Sequence, residues 1–115
     1  MTPLAELQVE PHGDDVIVAA IVGEVDASNA AALAGGLREA VSNRSTRLVV
    51  DLSPTRYLDS AGINLLFNLG EELRSHQVGL RLVVDRASPV ARMLDLTGLD
   101  KANPTFTSLA EALAP

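Results

Sequence analysis

Hydrophobic and polar positions along the chain switch repeatedly between a period of two and a period near three and a half. Ala5, Leu7 and Val9 alternate with Glu6 and Gln8, the pattern of a half-exposed strand at a sheet edge. Pro11-His12-Gly13-Asp14-Asp15 has the chemistry of a turn. Val16 to Val22 is a continuous apolar run, which predicts a strand covered on both faces. After Gly23-Glu24-Val25-Asp26, the residues Ala30, Leu33, Ala34, Leu37 and Val41 follow a helical period, with Ser28 or Asp26 available as N-cap. Gly35-Gly36 weakens that helix and favours close packing on the sheet.

A second buried strand is predicted over Arg47 to Leu52, and a second helix over Ile63 to Leu73. Leu80 to Val84 reads as the next strand. Ser88-Pro89 then opens a short helix that Gly98 closes. Pro104 to Phe106 predicts a final short strand, and Ser108 to Glu111 is a capping box that opens a last helix. Strand and helix alternate from residue 16 onward. The expected fold is α/β, with a mostly parallel central sheet of about five strands flanked by about four helices and the first strand at an edge. No repeat, linker or low-complexity segment interrupts it, so residues 1–115 are expected to form one domain.

Composition narrows the function. Tyr57, Phe67 and Phe106 are the only aromatics, so Val, Leu, Ile and Ala must build the core. The net charge is −6 and the nine basic residues are scattered, which argues against nucleic acid as a partner. There is no cysteine, hence no disulfide framework and no thiol chemistry. Val16 to Val22, the longest apolar stretch, is too short to span a bilayer, and no signal-peptide pattern is visible. A cytoplasmic protein without membrane partners is expected.

Catalysis finds little support. The chain carries no phosphate-binding loop, dinucleotide fingerprint or nucleophile elbow. His12 and His76 fall in a turn and at a helix end, without a second imidazole or a carboxylate at ligand spacing. No enzyme activity, metal or cofactor is expected. Asp14, Asp15, Asp51 and Lys101 invite comparison with phosphoacceptor receiver domains. Asp14-Asp15 precedes its strand, however, and so belongs to the end of the sheet opposite Asp51. A receiver-like or nucleotide-binding domain is kept only as a remote alternative.

Leu58-Asp59-Ser60-Ala61-Gly62 is the informative segment. It lies where strand gives way to helix, on the rim at which open α/β sheets bind ligands and partners. Asp59 or Ser60 serves as the helix N-cap. Asp26, ending the preceding strand, reaches the same rim. The second helix has an apolar arc wider than the usual ~100°: Ile63, Leu66, Phe67, Gly70 and Leu73 suffice to face a sheet. Leu65 and Leu69 then lie at an edge, to be covered either by a partner or by the terminal helix.

Gly23-Glu24-Val25-Asp26, Leu48 to Ser53, Leu58 to Gly62 and Ser88 to Leu99 together resemble the motif series of STAS domains. Among these the chain is most similar to bacterial anti-sigma-factor antagonists, and the likeness covers essentially its whole length. The resemblance implies a STAS-like sheet flanked by helices. It also implies binding to an anti-sigma-factor serine kinase of the histidine-kinase-like ATPase type. In that scheme the unphosphorylated protein sequesters the kinase and frees the sigma factor, phosphate on Ser60 switches binding off, and a metal-dependent serine phosphatase restores it. The implied contact residues are Asp26, Asp59, Ser60, Ala61, Asn64 and Asn68. Many family members carry a second serine where Ala61 stands and a glycine where Asn64 stands. The alternative within the same fold is a non-switching STAS interaction module of a transporter or multiprotein sensory complex.

Overall fold

Ten residues, Val16–Val25, form the strand around which the sheet is built. It is β2 in a computed structural model that describes residues 4–115. β1 (Ala5–His12) pairs with it antiparallel along one edge, from Ala5 opposite Gly23 to His12 opposite Val16. Its other edge is shared. The first half pairs parallel with β3 (Arg47–Asp51), and Gly23 to Val25 pair parallel with β4 (Thr55–Leu58). β5 (Gly79–Val83) and the two-residue β6 (Thr105–Phe106) continue the parallel order, giving β1-β2-β3-β5-β6 with β4 beside the end of β2.

Among the described residues this makes six strands and five helices. The additional strand is β4. Four residues, Thr55 to Leu58, are too few for a periodic signal, and the strand exists because it extends the ladder of β2 where β3 has ended.

The helices are α1 (Ala30–Ala40), α2 (Ser60–Ser75), α3 (Pro89–Thr97), α4 (Leu99–Ala102) and α5 (Leu109–Leu113). Leu33 and Leu37 of α1, Leu66 and Leu69 of α2, Leu94 of α3 and Leu99 of α4 share one core with Leu48, Val50 and Leu52 of the sheet. Val49 and Val83 point the other way and pack with Ala112 of α5 in a smaller core. Four helices therefore cover one face and α5 alone covers part of the other. A five-residue helix cannot hold itself together in water. Arg81 spans it, its Nη1 donating to the carbonyls of Ala112 (2.9 Å) and Ala114 (2.8 Å) while its guanidinium sits 5.5 Å from the centre of the Phe106 ring.

This layering corrects three expectations. Val16 to Val22 is not covered on both faces throughout: Val18, Ala20 and Val22 are only half-buried, because α5 lies over β3, β5 and β6 and the core beneath it reaches β2 only at Val16 and Val18. Leu65 and Leu69 need neither a partner nor the terminal helix, being 8% and 0% exposed in the main core. The apolar arc of α2 is wide because that helix lies on the sheet between α1 and α4. Its charged flank toward α1 carries the Glu72–Arg38 ion pair, and Arg74 donates to the Ala102 carbonyl of α4. Finally, α1 begins after Asn29, so Asp26 and Ser28 lie in the turn ahead of the helix and neither is its cap. Gly36 packs closely on the sheet, as expected, against Leu7 of β1, while Gly35 meets nothing.

Candidate functional site

The site begins with a break in β2. Gly23 has φ +113°, and a Cβ there would lie 2.2 Å from the Leu4 carbonyl oxygen, so only glycine fits. The neighbouring Glu24 amide donates to that same oxygen at 2.9 Å. The register shifts between Gly23 and Glu24, and β2 passes from its pairing with β3 to its pairing with β4. Val25 then lies opposite Leu58, and the Asp59 amide donates to the Val25 carbonyl at 3.2 Å. Asp26 and Asp59 thus leave adjacent parallel strands at the same rim.

Each aspartate is fixed by its own short-range bonds. Asp26 accepts from the Ser28 amide at 2.8 Å and from the Ser28 hydroxyl. Asn29 braces the turn from beneath, accepting from the Asp26 amide and donating to the Glu24 carbonyl. The Ser28 hydroxyl, and next the Ser28 amide, hold the Asp26 carboxyl below the usual aspartate range, so it is charged at neutral pH. Asp59 is the N-cap of α2, accepting from the Ala61 amide at 2.9 Å and the Gly62 amide at 3.3 Å. A Cβ on Gly62 would come within 2.4 Å of the Leu58 side chain and 3.0 Å of Val25, so glycine lets the first turn of α2 seat against both strand ends.

Because Asp59 is the cap, Ser60 is the first residue of the helix. It is exposed, and its hydroxyl makes no hydrogen bond among the described residues. Ala61 beside it is half-buried. Asn64 and Asn68 are exposed and repeat at four-residue intervals from Ser60, so the three share one stripe of α2. Of the six residues expected at the site, Asp26, Asp59, Ser60 and Ala61 meet at the rim, and the two asparagines lead away from it along the helix.

A groove beside Ser60 was not anticipated. It encloses about 460 Å³ between β4, the start of α2 and α3, and is lined by Arg56, Tyr57, Ser60, Arg92, Met93 and Leu96 among others. Tyr57 and Leu96 are 52% and 67% exposed, unusual for large apolar side chains. The available signal was in α3. Leu94 is buried, and Leu96, two residues further on, must point to the opposite side of the helix.

The remaining chemistry-bearing residues do not converge. His12 ends β1 and His76 is the C-cap of α2. Asp15 joins the start of β3, accepting from the Thr46 hydroxyl at 2.9 Å, whereas Asp51 at its far end accepts from the Ser53 amide. The acidic pair and Asp51 are therefore at opposite ends of the sheet. Among the described residues no group of three or more metal-ligating side chains gathers. No helix there is long and apolar enough to cross a membrane.

The sequence profile of the STAS domain matches residues 7–112. The chain belongs to the STAS domain family. It is 39% identical over 99 residues to the anti-sigma-F factor antagonist RsfB of Mycobacterium tuberculosis strain H37Rv, covering 85% of this chain and 79% of that protein. It is 30% identical over 110 residues to the anti-sigma F factor antagonist of Paenibacillus polymyxa, covering 93% of this chain and 92% of that one. The crystal structure of an anti-sigma factor antagonist from Mycobacterium paratuberculosis superposes with a TM-score of 0.84 at 32% identity, over 95% of this chain and 91% of that chain. Within this STAS domain, Gly23 and Gly62 bring the two motif aspartates to one rim.

Proposed function

We propose that this STAS domain is an anti-sigma-factor antagonist switched by phosphate on Ser60. In its unphosphorylated form it binds an anti-sigma-factor serine kinase and so releases the sigma factor that the kinase holds. The carrying observation is Ser60 itself: an exposed hydroxyl, free of hydrogen bonds among the described residues, at a helix start whose capping is done by Asp59. The names of the relatives support the same reading.

The contact face consists of Asp26, Asp59, Ser60, Ala61, Asn64 and Asn68. In the switching step the Ser60 Oγ attacks the γ-phosphorus of ATP held by the kinase. A new O–P bond forms, the bond to the bridging oxygen of ADP breaks, and the hydroxyl proton passes to a base of the kinase or to water. A metal-dependent phosphatase hydrolyses the ester and resets the protein. This chain contributes the acceptor and the surface, without turnover of its own.

Phosphate adds about −1.5 to −2 charges near neutral pH. Within the isolated fold its position at the amino end of α2 contributes about 0.3–2 kcal/mol of stabilisation. Asp59 already occupies two of the amides there, and its charge and that of Asp26 offset part of the gain. At a packed interface the same charge must be desolvated next to carboxylates, which costs several kcal/mol. The complex breaks while the fold survives.

The test uses the cognate kinase, ATP and magnesium with the purified chain. Phosphate should appear on Ser60 alone, vanish in Ser60→Ala, and release the chain from the kinase. Phosphate mapped elsewhere, or a complex indifferent to it, would replace the switch with the non-switching STAS module.

A further inference from the structure

The groove beside Ser60 brings together two arginines and one carboxylate, that of Asp59. Arg56 and Arg92 line it from opposite sides, on β4 and on α3, and Ser60 lines it too. The chain as a whole is acidic at −6, and the nearby rim carries Asp26, Asp59 and Glu24. Neither arginine is committed. Arg56 is 3.7 Å from Glu24, with both side chains about half exposed or more, a contact of little strength. Arg92 is exposed and makes no ion pair among the described residues. Of the other arginines, Arg38 pairs with Glu72, Arg74 with α4, and Arg47 and Arg81 with the end of α5, while Arg44 and Arg86 lie outside this groove.

We propose that a phosphate on Ser60 is bridged by Arg92 from α3 and Arg56 from β4, closing the mouth of the groove over Tyr57, Met93 and Leu96. The inference rests on the reading of Ser60 as a phosphate acceptor and adds what the phosphate does once attached. A guanidinium presents a planar fork of donors that matches phosphate oxygens two at a time, and charge-assisted bonds of this kind are about twice as strong as neutral ones. Arg56 exchanges a weak carboxylate partner for a dianion, and Arg92 acquires a partner for the first time. The bridge also neutralises charge that Asp26 and Asp59 would otherwise repel. Phosphorylation then has two effects on a partner: it adds charge at the rim, and it removes the open apolar groove next to it.

Phosphoserine can be placed at position 60 during translation, so the test needs no kinase. A null result leaves kinase binding untouched, and a missing kinase leaves the bridge testable. Phosphorus NMR follows the second ionisation of the phosphate, ordinarily near pH 6. The charged groups facing it are Asp26, Asp59, Glu24, Arg56 and Arg92. Nearby cations favour the dianion, so removing one raises the titration midpoint. Arg92→Gln should raise it by about half a unit, allowing for solvent screening of an effect that reaches 1–3 units at close range. Arg56→Gln should raise it by a smaller amount, and Arg44→Gln, in the distant turn before β3, should leave it in place. The Arg92 Nε–H resonance should also move on phosphorylation. Midpoints unchanged in both groove variants, a rise in Arg56→Gln alone, or a rise as large in Arg44→Gln would each overturn the bridge.

Discussion

Ser60 and Ser88 stand on the same rim of the sheet, one after β4 and the other after β5, each at the start of a helix. They differ by a single position in the capping register. Ser88 is the N-cap of α3, and its Oγ accepts from the Val90 amide at 3.0 Å. Ser60 lies one residue inside α2, because Asp59 has taken the cap. An N-cap serine has its oxygen turned back onto the backbone, whereas a serine one place further on points its hydroxyl outward. The first contributes stability and the second is available for chemistry. Proximity of a serine to a helix start therefore does not mark it as an acceptor; what matters is which neighbour does the capping.

The largest effect that would break this contrast is on binding. Ser60→Glu should weaken the kinase complex about a hundredfold or more by titration calorimetry, with a near-normal melting temperature. Ser88→Glu should do the reverse, lowering the melting temperature while the folded protein still binds. Next in size, Asn64→Arg should cost roughly tenfold in affinity, about 1.4 kcal/mol, with little loss of stability. Unchanged affinity there and in Asn68→Arg would move the interface off α2.

Stability effects are smaller. Ser88→Ala and Asp59→Ala should each lose about 1 kcal/mol, a fall of roughly 4 °C in melting temperature. Ser60→Ala should stay within about ±0.5 kcal/mol of the parent. Equal melting of Ser60→Ala and Ser88→Ala would erase the distinction between the two serines. Smallest of all is the titration of Asp26. Its folded value lies below the ordinary 3.8, so its contribution to stability is present above that pH and is lost as pH falls through the folded value. Ser28→Ala removes the main cause and should move the midpoint upward toward 3.8, read from the carboxyl carbon by NMR.

What was legible in the sequence follows the strength of local signals. α3 was readable at both ends, since Ser88, Pro89 and Gly98 each have a backbone reason for their place. Ser60 was readable as a strand-to-helix serine, although the strand before it is β4 and not β3. β4 itself was hidden, because its pairing depends on the bulge at Gly23 and on β3 having ended. The groove was hidden with it: Tyr57 and Leu96 face each other only once α3 is packed on β4. Leu65 and Leu69 misled for a related reason, as helical period reports how wide an apolar face is but not how many neighbours share it.

The pairing of β2 along both edges has a consequence for kinetics. Its central amides lie between strands on both edges, and such amides exchange their protons only when the whole fold opens. Asp26 and Asp59 are rooted in the end of that ladder, so under the proposed function the rim would meet its partner already ordered. A partner that meets a rigid surface spends little on ordering it. Changes made to such a surface act mainly on how long a complex lasts, and much less on how often it forms. Charge added at Ser60 should therefore register first as a shortened residence time on the kinase.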